Sequence, residues 1–417
     1  MEAELSTKEM AANTAWNTFG TFFYFMCQWL LTVAVVRLSG YKDAGIFSIV
    51  LSVTNVFYCI SMYGIRNYQV TDIDGQYSDL DYLRTRHLST LAALILFGTV
   101  LFFLNLEPYT LACCWIYLVY KFEESYTDVI FGTFQKYNHY KPIAVSYVWK
   151  GILSLLSFCA VLVLTKSLFW TLTANVVLMA AVILFYDWRY MPKMKKEAYR
   201  GWTLFVSCFP LMLYSMLVPY LNFVTRYAVE RAFGQEQLGY YSSITMVLSV
   251  LMVMMNSVFV TIIPKIAADY ENGRLNAIFR LLLLAAAGFI GLDLAGQIGG
   301  WLLGDFCFSL VFGDEILPYM YLLPGTIHCA VILAAVTFAS SVLTSLRKTG
   351  QVLAGNALSP VLCTLMLPWM IGMQKMEGAL NSMTVSLAAS LAVLCVMLVW
   401  DLASSSKNKT AESKGGL

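Results

Sequence analysis

LACCWIYLVYKFEESYTDVIFGTFQ, residues 111–135, is the stretch on which the fold turns. Its first ten residues have the composition of a membrane span, and they run without a break into Lys121, Glu123, Glu124 and Asp128. Insertion scales assign about 2.5–3.5 kcal/mol to each ionised side chain at the centre of a membrane helix, so a lipid-facing helix could not hold this cluster. Lys121, Glu124, Asp128 and Gln135 fall within an arc of roughly 60° on a helix, which Tyr117 shares and Gly132 borders; Glu123 alone points away. The spacing therefore predicts a helix that turns its charges toward a bundle interior.

The rest of the chain supplies the bundle. Of 417 residues, 59% are hydrophobic and only 12% charged, and the mean hydropathy of +0.68 excludes a water-exposed globular surface. A bilayer core takes roughly 20 apolar residues per helix. Twelve such runs are predicted near 12–38, 44–65, 88–106, 109–135, 142–165, 168–187, 202–228, 238–264, 276–303, 316–345, 353–373 and 378–400. The N-terminus MEAELSTKEM carries acids where a secretory signal would be basic, and no cleaved signal is expected. Cysteines sit singly within apolar runs (Cys27, Cys59, Cys159, Cys208, Cys363), apart from Cys113 and Cys114, and read as small hydrophobes. His87, His139 and His328 are scattered, and no metal site is expected.

Lysine and arginine segregate across the twelve spans. Nineteen fall on the face that holds both termini and six on the other, with Lys121 and Lys150 inside spans, which predicts cytoplasmic termini. The most basic connection, DWRYMPKMKKEAYRG at 187–201, lies at the midpoint. On either side of it the chain repeats: VVRLSGYKDAGIFSIVLSV from Val35 parallels VTRYAVERAFGQEQLGYYSSITMVLSV from Val224, placing Gly45 on Gly239, Ser48 on Ser242 and Asn55 on Ser249. Six helices per copy is an even number, so the copies form a parallel repeat. The expected fold is all-α, a polytopic membrane protein of twelve transmembrane helices in two six-helix lobes around a central cavity. Its parts are a lobe at 1–187, a basic cytoplasmic linker at 188–201, a second lobe at 202–402 and a disordered tail at 403–417.

Polar stripes recur at helical spacing. The first span aligns Asn17, Thr21, Tyr24 and Gln28; the second, Ser48, Ser52, Asn55 and Cys59; the fifth, Ser146, Lys150, Ser154 and Ser157. The seventh aligns Ser215, Pro219, Asn222 and Arg226, and the eighth Ser242, Thr245, Ser249 and Asn256. Such stripes suit a wet chamber or interhelical hydrogen bonding in a dry bundle. Asp128 needs a neutralising partner: Lys150 on the next helix, a proton or a cation. Pro210, Pro219, Pro318, Pro324, Pro360 and Pro368 interrupt spans, which suits helices that bend.

SMYGIRNYQVTDIDGQYSDLDYLRTR (61–86), FEESYTDVIFGTFQKYNHYKPIAVSYVWKGILS (122–154) and LGYYSSITMVLSV (238–250) resemble the Wzx-like polysaccharide flippases of capsule and O-antigen repeat units. These belong to the multidrug/oligosaccharidyl-lipid/polysaccharide exporter superfamily. The resemblance covers most of the first half and thins after about residue 265, where VFGDE (311–315) is the remaining familiar step. It implies two six-helix bundles rocking about a cavity and a cargo of undecaprenyl-pyrophosphate-linked oligosaccharide, moved across the bacterial cytoplasmic membrane. A polysaccharide polymerase and glycosyltransferases would be the protein partners, with membrane lipid around the chain and no nucleic acid. Family cavities are cationic, and Lys150 in WKGILS stands where a basic residue is common, although Glu124 and Asp128 dilute that charge.

On this reading Lys150, Arg226 and Lys121 attract the pyrophosphate, while Asn17, Gln28, Asn55 and Asn222 hydrogen-bond sugar hydroxyls. Glu124 and Asp128 would bind a coupling proton or Na+, with no other cofactor, and no catalytic residue is expected. The alternatives are a small-molecule exporter, a lipid II flippase and a membrane glycosyltransferase or polymerase. The first would want an acid in the first helix, which is uncharged from Ala11 to Val36. A lipid II flippase would often carry helices beyond twelve. A glycosyltransferase would use Asp72, Ile73 and Asp74 as a metal-holding D-x-D, but that loop is too short for a nucleotide-sugar domain.

Overall fold

A computed structural model describes residues 7–72, 75–191 and 201–415. Most of the basic linker, Ile73 and Asp74 of the D-x-D stretch, and the extreme ends of the chain lie outside the described residues. The described chain is helical: α1 (Thr7–Ser39), α2 (Tyr41–Met62), α3 (Ile65–Thr71), α4 (Asp79–Phe103), α5 (Pro108–Lys136), α6 (Tyr140–Thr165) and α7 (Leu168–Val182). A π-helical turn, Ile183–Asp187, leads into α8 (Trp188–Tyr190). There follow α9 (Gly201–Phe233), α10 (Gln235–Thr245), α11 (Val247–Glu271), α12 (Leu275–Phe312), a 3-10 segment (Asp314–Leu322), α13 (Leu323–Ser345), α14 (Thr349–Gln374) and α15 (Met376–Gly415).

Eleven helical stretches among the described residues are long and apolar enough to cross a bilayer, and the chain is a multi-pass membrane protein. The stretch missing from that set is α5. Its 29 residues, at 1.5 Å rise each, span about 43 Å, so length is sufficient; only its charges set it apart.

Boundaries moved where polar chemistry extends a helix beyond its apolar run. The third span starts at Asp79 and not near 88, because Ser78 and Asp81 form a reciprocal capping box: the Ser78 hydroxyl accepts from the Asp81 amide, and the Asp81 carboxylate accepts from the Ser78 amide. Arg86, expected in a cytoplasmic connection, is consequently two turns inside the helix and fully buried. At the other end of the chain α15 continues as helix to Gly415, over the stretch whose polar composition predicts a disordered tail. Once a helix is nucleated, Ala, Glu and Lys propagate it at little cost.

The chain divides into two compact units, residues 1–219 and 220–417, with the boundary inside α9 at Pro219. In the first unit the beginning of α9 packs on the corner between α2 and α3. Phe205 stacks on Tyr63 at 4.3 Å, and the Tyr68 hydroxyl donates to the Ser207 carbonyl at 3.0 Å. Gly64 turns this corner in the left-handed region, φ 66°. In the second unit Tyr240 stacks on Tyr319 at 4.1 Å, and the Asn356 amide donates to the Ser340 hydroxyl at 2.8 Å.

Gly132 sets how closely α3 lies on α5. A Cβ there would come within 2.1 Å of the Gln69 side-chain oxygen, and Gln69 is buried with its amide nitrogen bonded to the Thr133 hydroxyl at 2.9 Å. Gly132→Ala is expected to break that bond and cost about 1–3 kcal/mol, seen as a lower melting temperature in detergent. Adding Gln69→Ala should return part of the loss; a Gly132→Ala protein as stable as the parent would refute this account.

Candidate functional site

The α5 stripe is neutralised from three directions, all within the first unit. Asp128 receives two guanidinium groups: Arg66 of α3 at 3.2 Å and Arg86 of α4 at 3.0 Å, on different carboxylate oxygens. Arg66 also donates to Gln135 at 3.0 Å, and Arg86 to the Ser61 carbonyl at 2.5 Å. Asp128 therefore draws its neutralising charge from neither Lys150 nor an external cation. One turn earlier Lys121 pairs with Glu124 at 2.7 Å, and Glu124 accepts a further bond from the Tyr24 hydroxyl of α1. The Lys121 ammonium lies over the rings of Tyr58, Tyr117 and Tyr120 at 5.0, 5.5 and 5.9 Å, a cation–π enclosure that offsets some of its lost hydration.

Lys150, buried on α6, points to the far side of α5. Its ammonium pairs with Asp187 at 2.5 Å, donates to the Thr127 hydroxyl at 2.9 Å and sits 4.9 Å from the Phe131 ring centroid. Asp187 is supplied by the π-helical turn, the kind of single-turn bulge that re-aims a side chain within a helix. Gln28 links the two clusters, donating to the Tyr120 hydroxyl at 3.1 Å and to Ser154 at 3.4 Å, one turn beyond Lys150. Asn17 and Asn55 are half-buried on α1 and α2.

In the second unit, Asn222 and Arg226 lie one turn apart on α9 and are half-buried. Arg226 has no carboxylate within 4 Å among the described residues, and the ionisable group it senses is the Tyr241 phenol of α10. This distinguishes it from Lys121 and Lys150, whose charges are matched by acids. The outward part of the polar stripes here is exposed, at Ser249 and Asn256.

Several of these partners escaped the pattern of the sequence. Arg66, Arg86, Thr127, Tyr58 and Asp187 were not singled out, and only Arg86 carried a usable signal: the Ser-x-x-Asp capping signature at 78–81 moves the helix start ahead of it. Asp187 sits at the edge of the basic connection, where nothing in its neighbours marks it as buried.

The Asp72 carboxylate is engaged by groups of the protein itself. It accepts from the backbone amides of Gln76 and Tyr77 at 2.8 and 3.1 Å and from the Tyr82 hydroxyl at 2.8 Å, with Lys136 at 3.6 Å. Burial alone would raise the Asp72 carboxyl, but these bonds and the Lys136 charge hold it below the usual carboxylate range. A depressed native pKa contributes stability that is complete above the unfolded value of about 3.9 and disappears as pH falls through the native one. Hydrogen-exchange protection of the Gln76 and Tyr77 amides is therefore expected to hold from neutral pH to about pH 4 and to collapse below it. Loss of protection already near neutrality would contradict this.

Comparison with known proteins bears on the fold. No family profile matches the sequence. A capsular polysaccharide biosynthesis protein of Staphylococcus aureus, CapF, is 24% identical over 297 residues, which is 70% of this chain and 74% of that protein. An inward-facing multidrug-resistance MATE transporter of the MOP superfamily superposes with a TM-score of 0.69 at 12% identity, covering 92% of this chain and 95% of the other. The lipid II flippase MurJ in an inward closed conformation gives 0.70 at 12% identity, covering 95% and 90%. The chain shares its fold with these two membrane transporters.

Proposed function

We propose that the protein flips an undecaprenyl-pyrophosphate-linked oligosaccharide repeat unit across the bacterial cytoplasmic membrane, for capsule or exopolysaccharide assembly, with both termini in the cytoplasm. The observation that carries the reading is Arg226: a half-buried guanidinium on a membrane-spanning helix with no acidic partner among the described residues. An arginine without an internal counter-charge suits an anionic cargo, and its planar fork matches phosphate oxygens. The polyprenyl tail can stay in lipid while the diphosphate and sugars need shelter across about 30 Å of hydrocarbon. The fold is shared alike with a multidrug transporter and a lipid II flippase, and the likeness to a capsule-biosynthesis protein supports a lipid-linked sugar over a drug.

In this scheme Arg226 and Asn222 meet the pyrophosphate, and Asn17, Gln28 and Asn55 offer hydrogen bonds to sugar hydroxyls. Lys121 and Lys150, matched by Glu124 and Asp187, contribute less charge to the cargo than their number suggests. The cargo site is exposed alternately to either side, glycosyltransferases act on the lipid-linked unit before transfer, and the polymerase acts on it afterwards. Purified protein in liposomes, given fluorescent undecaprenyl-pyrophosphoryl oligosaccharide in the inner leaflet, should expose it to an external glycosidase without changing its chain length. Transport of organic cations with no movement of the lipid-linked sugar would replace this reading with drug export.

A further inference from the structure

The end of α7 and the π-helical turn after it can be built in two registers. On α7 the buried residues are Leu168, Thr171, Leu172, Asn175, Met179 and Val182, spaced by three and four so that they share one face. Continued as α-helix at 3.6 residues per turn, that face would next carry Tyr186, about five turns after Leu168, and then Tyr190, with Asp187 about 100° away. The protein does otherwise. Ile183–Asp187 is π-helical, closed by the Trp188 amide donating to the Ile183 carbonyl, and the wider turn sets the register back by one residue. Asp187 is fully buried where Tyr186 would have been, Met191 packs on the cluster of Ile130, Phe131, Phe134 and Ile143, and Tyr190 is 54% exposed. We propose that this segment is a two-register switch latched by the Lys150–Asp187 ion pair. With the pair made, the turn is π and Asp187 and Met191 face inward; with the pair broken, it is α and Tyr186 and Tyr190 face inward.

The ion pair is what keeps the π register. Among residues 183–190 Asp187 alone is buried, while Leu184, Phe185, Trp188 and Tyr190 are exposed. Lipid accommodates those apolar side chains, but an acid turned inward needs its counter-charge. The Lys150 ammonium provides it at 2.5 Å, and the other Asp187 carboxylate oxygen is buried with no hydrogen-bond partner. Lys150 is held more firmly: it lies within α6, donates to the Thr127 hydroxyl at 2.9 Å and sits 4.9 Å from the Phe131 ring centroid. Asp187, near the end of its helix, can therefore leave, and Lys150 cannot. The α register has support of its own, because Tyr186 and Tyr190 are one turn apart with ring centroids 4.9 Å from each other and would enter as a pair. The two arrangements are discrete, as a change of helix register requires. Passing from one to the other turns Trp188, Arg189 and Tyr190 by about 100° around the helix axis, just before the chain enters its basic connection. The charge match at Lys150 thus sets the direction in which the chain leaves α7. This device rests on the geometry of the first unit and goes beyond the cargo reading.

The test has two readouts on the full chain in nanodiscs. With the photo-crosslinker p-benzoylphenylalanine in place of Tyr190, the parent should form adducts with acyl chains. In Lys150→Met those adducts should give way to adducts with peptides of α5 or α6, because Asp187 loses its partner and the α register carries position 190 inward. The second readout is an asymmetry in melting temperature. Lys150→Met should lower it less than Asp187→Asn, since the stranded acid can leave by changing register whereas the stranded ammonium stays buried. The double variant Lys150→Met/Asp187→Asn should be more stable than Asp187→Asn alone and should keep the inward adducts. Acyl-chain adducts unchanged in Lys150→Met and in the double variant overturn the switch, as does equal destabilisation by the two single changes. Should Asp187→Asn fail to insert, the adduct pattern of Lys150→Met decides alone.

Discussion

Arg226→Gln is expected to lower translocation of the lipid-linked oligosaccharide by roughly 30-fold or more, the effect of losing one buried charge-assisted contact of about 2–5 kcal/mol. The loss should appear as capsule-negative cells with normal amounts of the protein in the membrane. Because the guanidinium has no carboxylate within 4 Å among the described residues, its removal strands no internal charge, and melting temperature should change little. Arg226→Lys should fall between, since an ammonium keeps the charge but cannot make the planar two-point contact with phosphate. Parent-level export from Arg226→Gln would remove the residue from the anion site and with it the main support for a diphosphate cargo.

The second large effect is on stability. Asp128→Asn takes away the carboxylate that Arg66 and Arg86 share and leaves the fully buried Arg86 guanidinium with the Ser61 carbonyl as its remaining strong partner. Stranding a buried charge in this way costs about 3–5 kcal/mol, enough to reduce the folded yield sharply. Combining it with Arg86→Met should be less damaging than the sum of the two single changes, because the second removes the stranded charge. Strict additivity in melting temperature would mean that the pair is not coupled and that Asp128 has another role.

These two residues show where the sequence is informative and where it stops. Arg226 and Asp128 were both found by helical spacing, since any intramembrane charge on a striped face stands out against lipid. Spacing cannot tell a charge reserved for cargo from one consumed in packing. Asp128 meets partners 62 and 42 residues away, and Lys150 meets Asp187 across 37 residues, and each pairing depends on how helices are brought side by side.

By itself the amino-acid sequence determined that this is an all-helical membrane protein and which helix faces turn from lipid. Bilayer thickness sets the length of an apolar run and the 3.6-residue period sets its polar face, and both are local properties of the chain. Only the tertiary structure decided which acid neutralises which base and that the first-unit stripe is satisfied largely from within. It also put the unit boundary inside α9 and left Arg226 with no carboxylate within 4 Å among the described residues. Those outcomes depend on distances between segments far apart in sequence, and a pair of charges in a medium of low dielectric is stabilising or costly according to an ångström or two of separation.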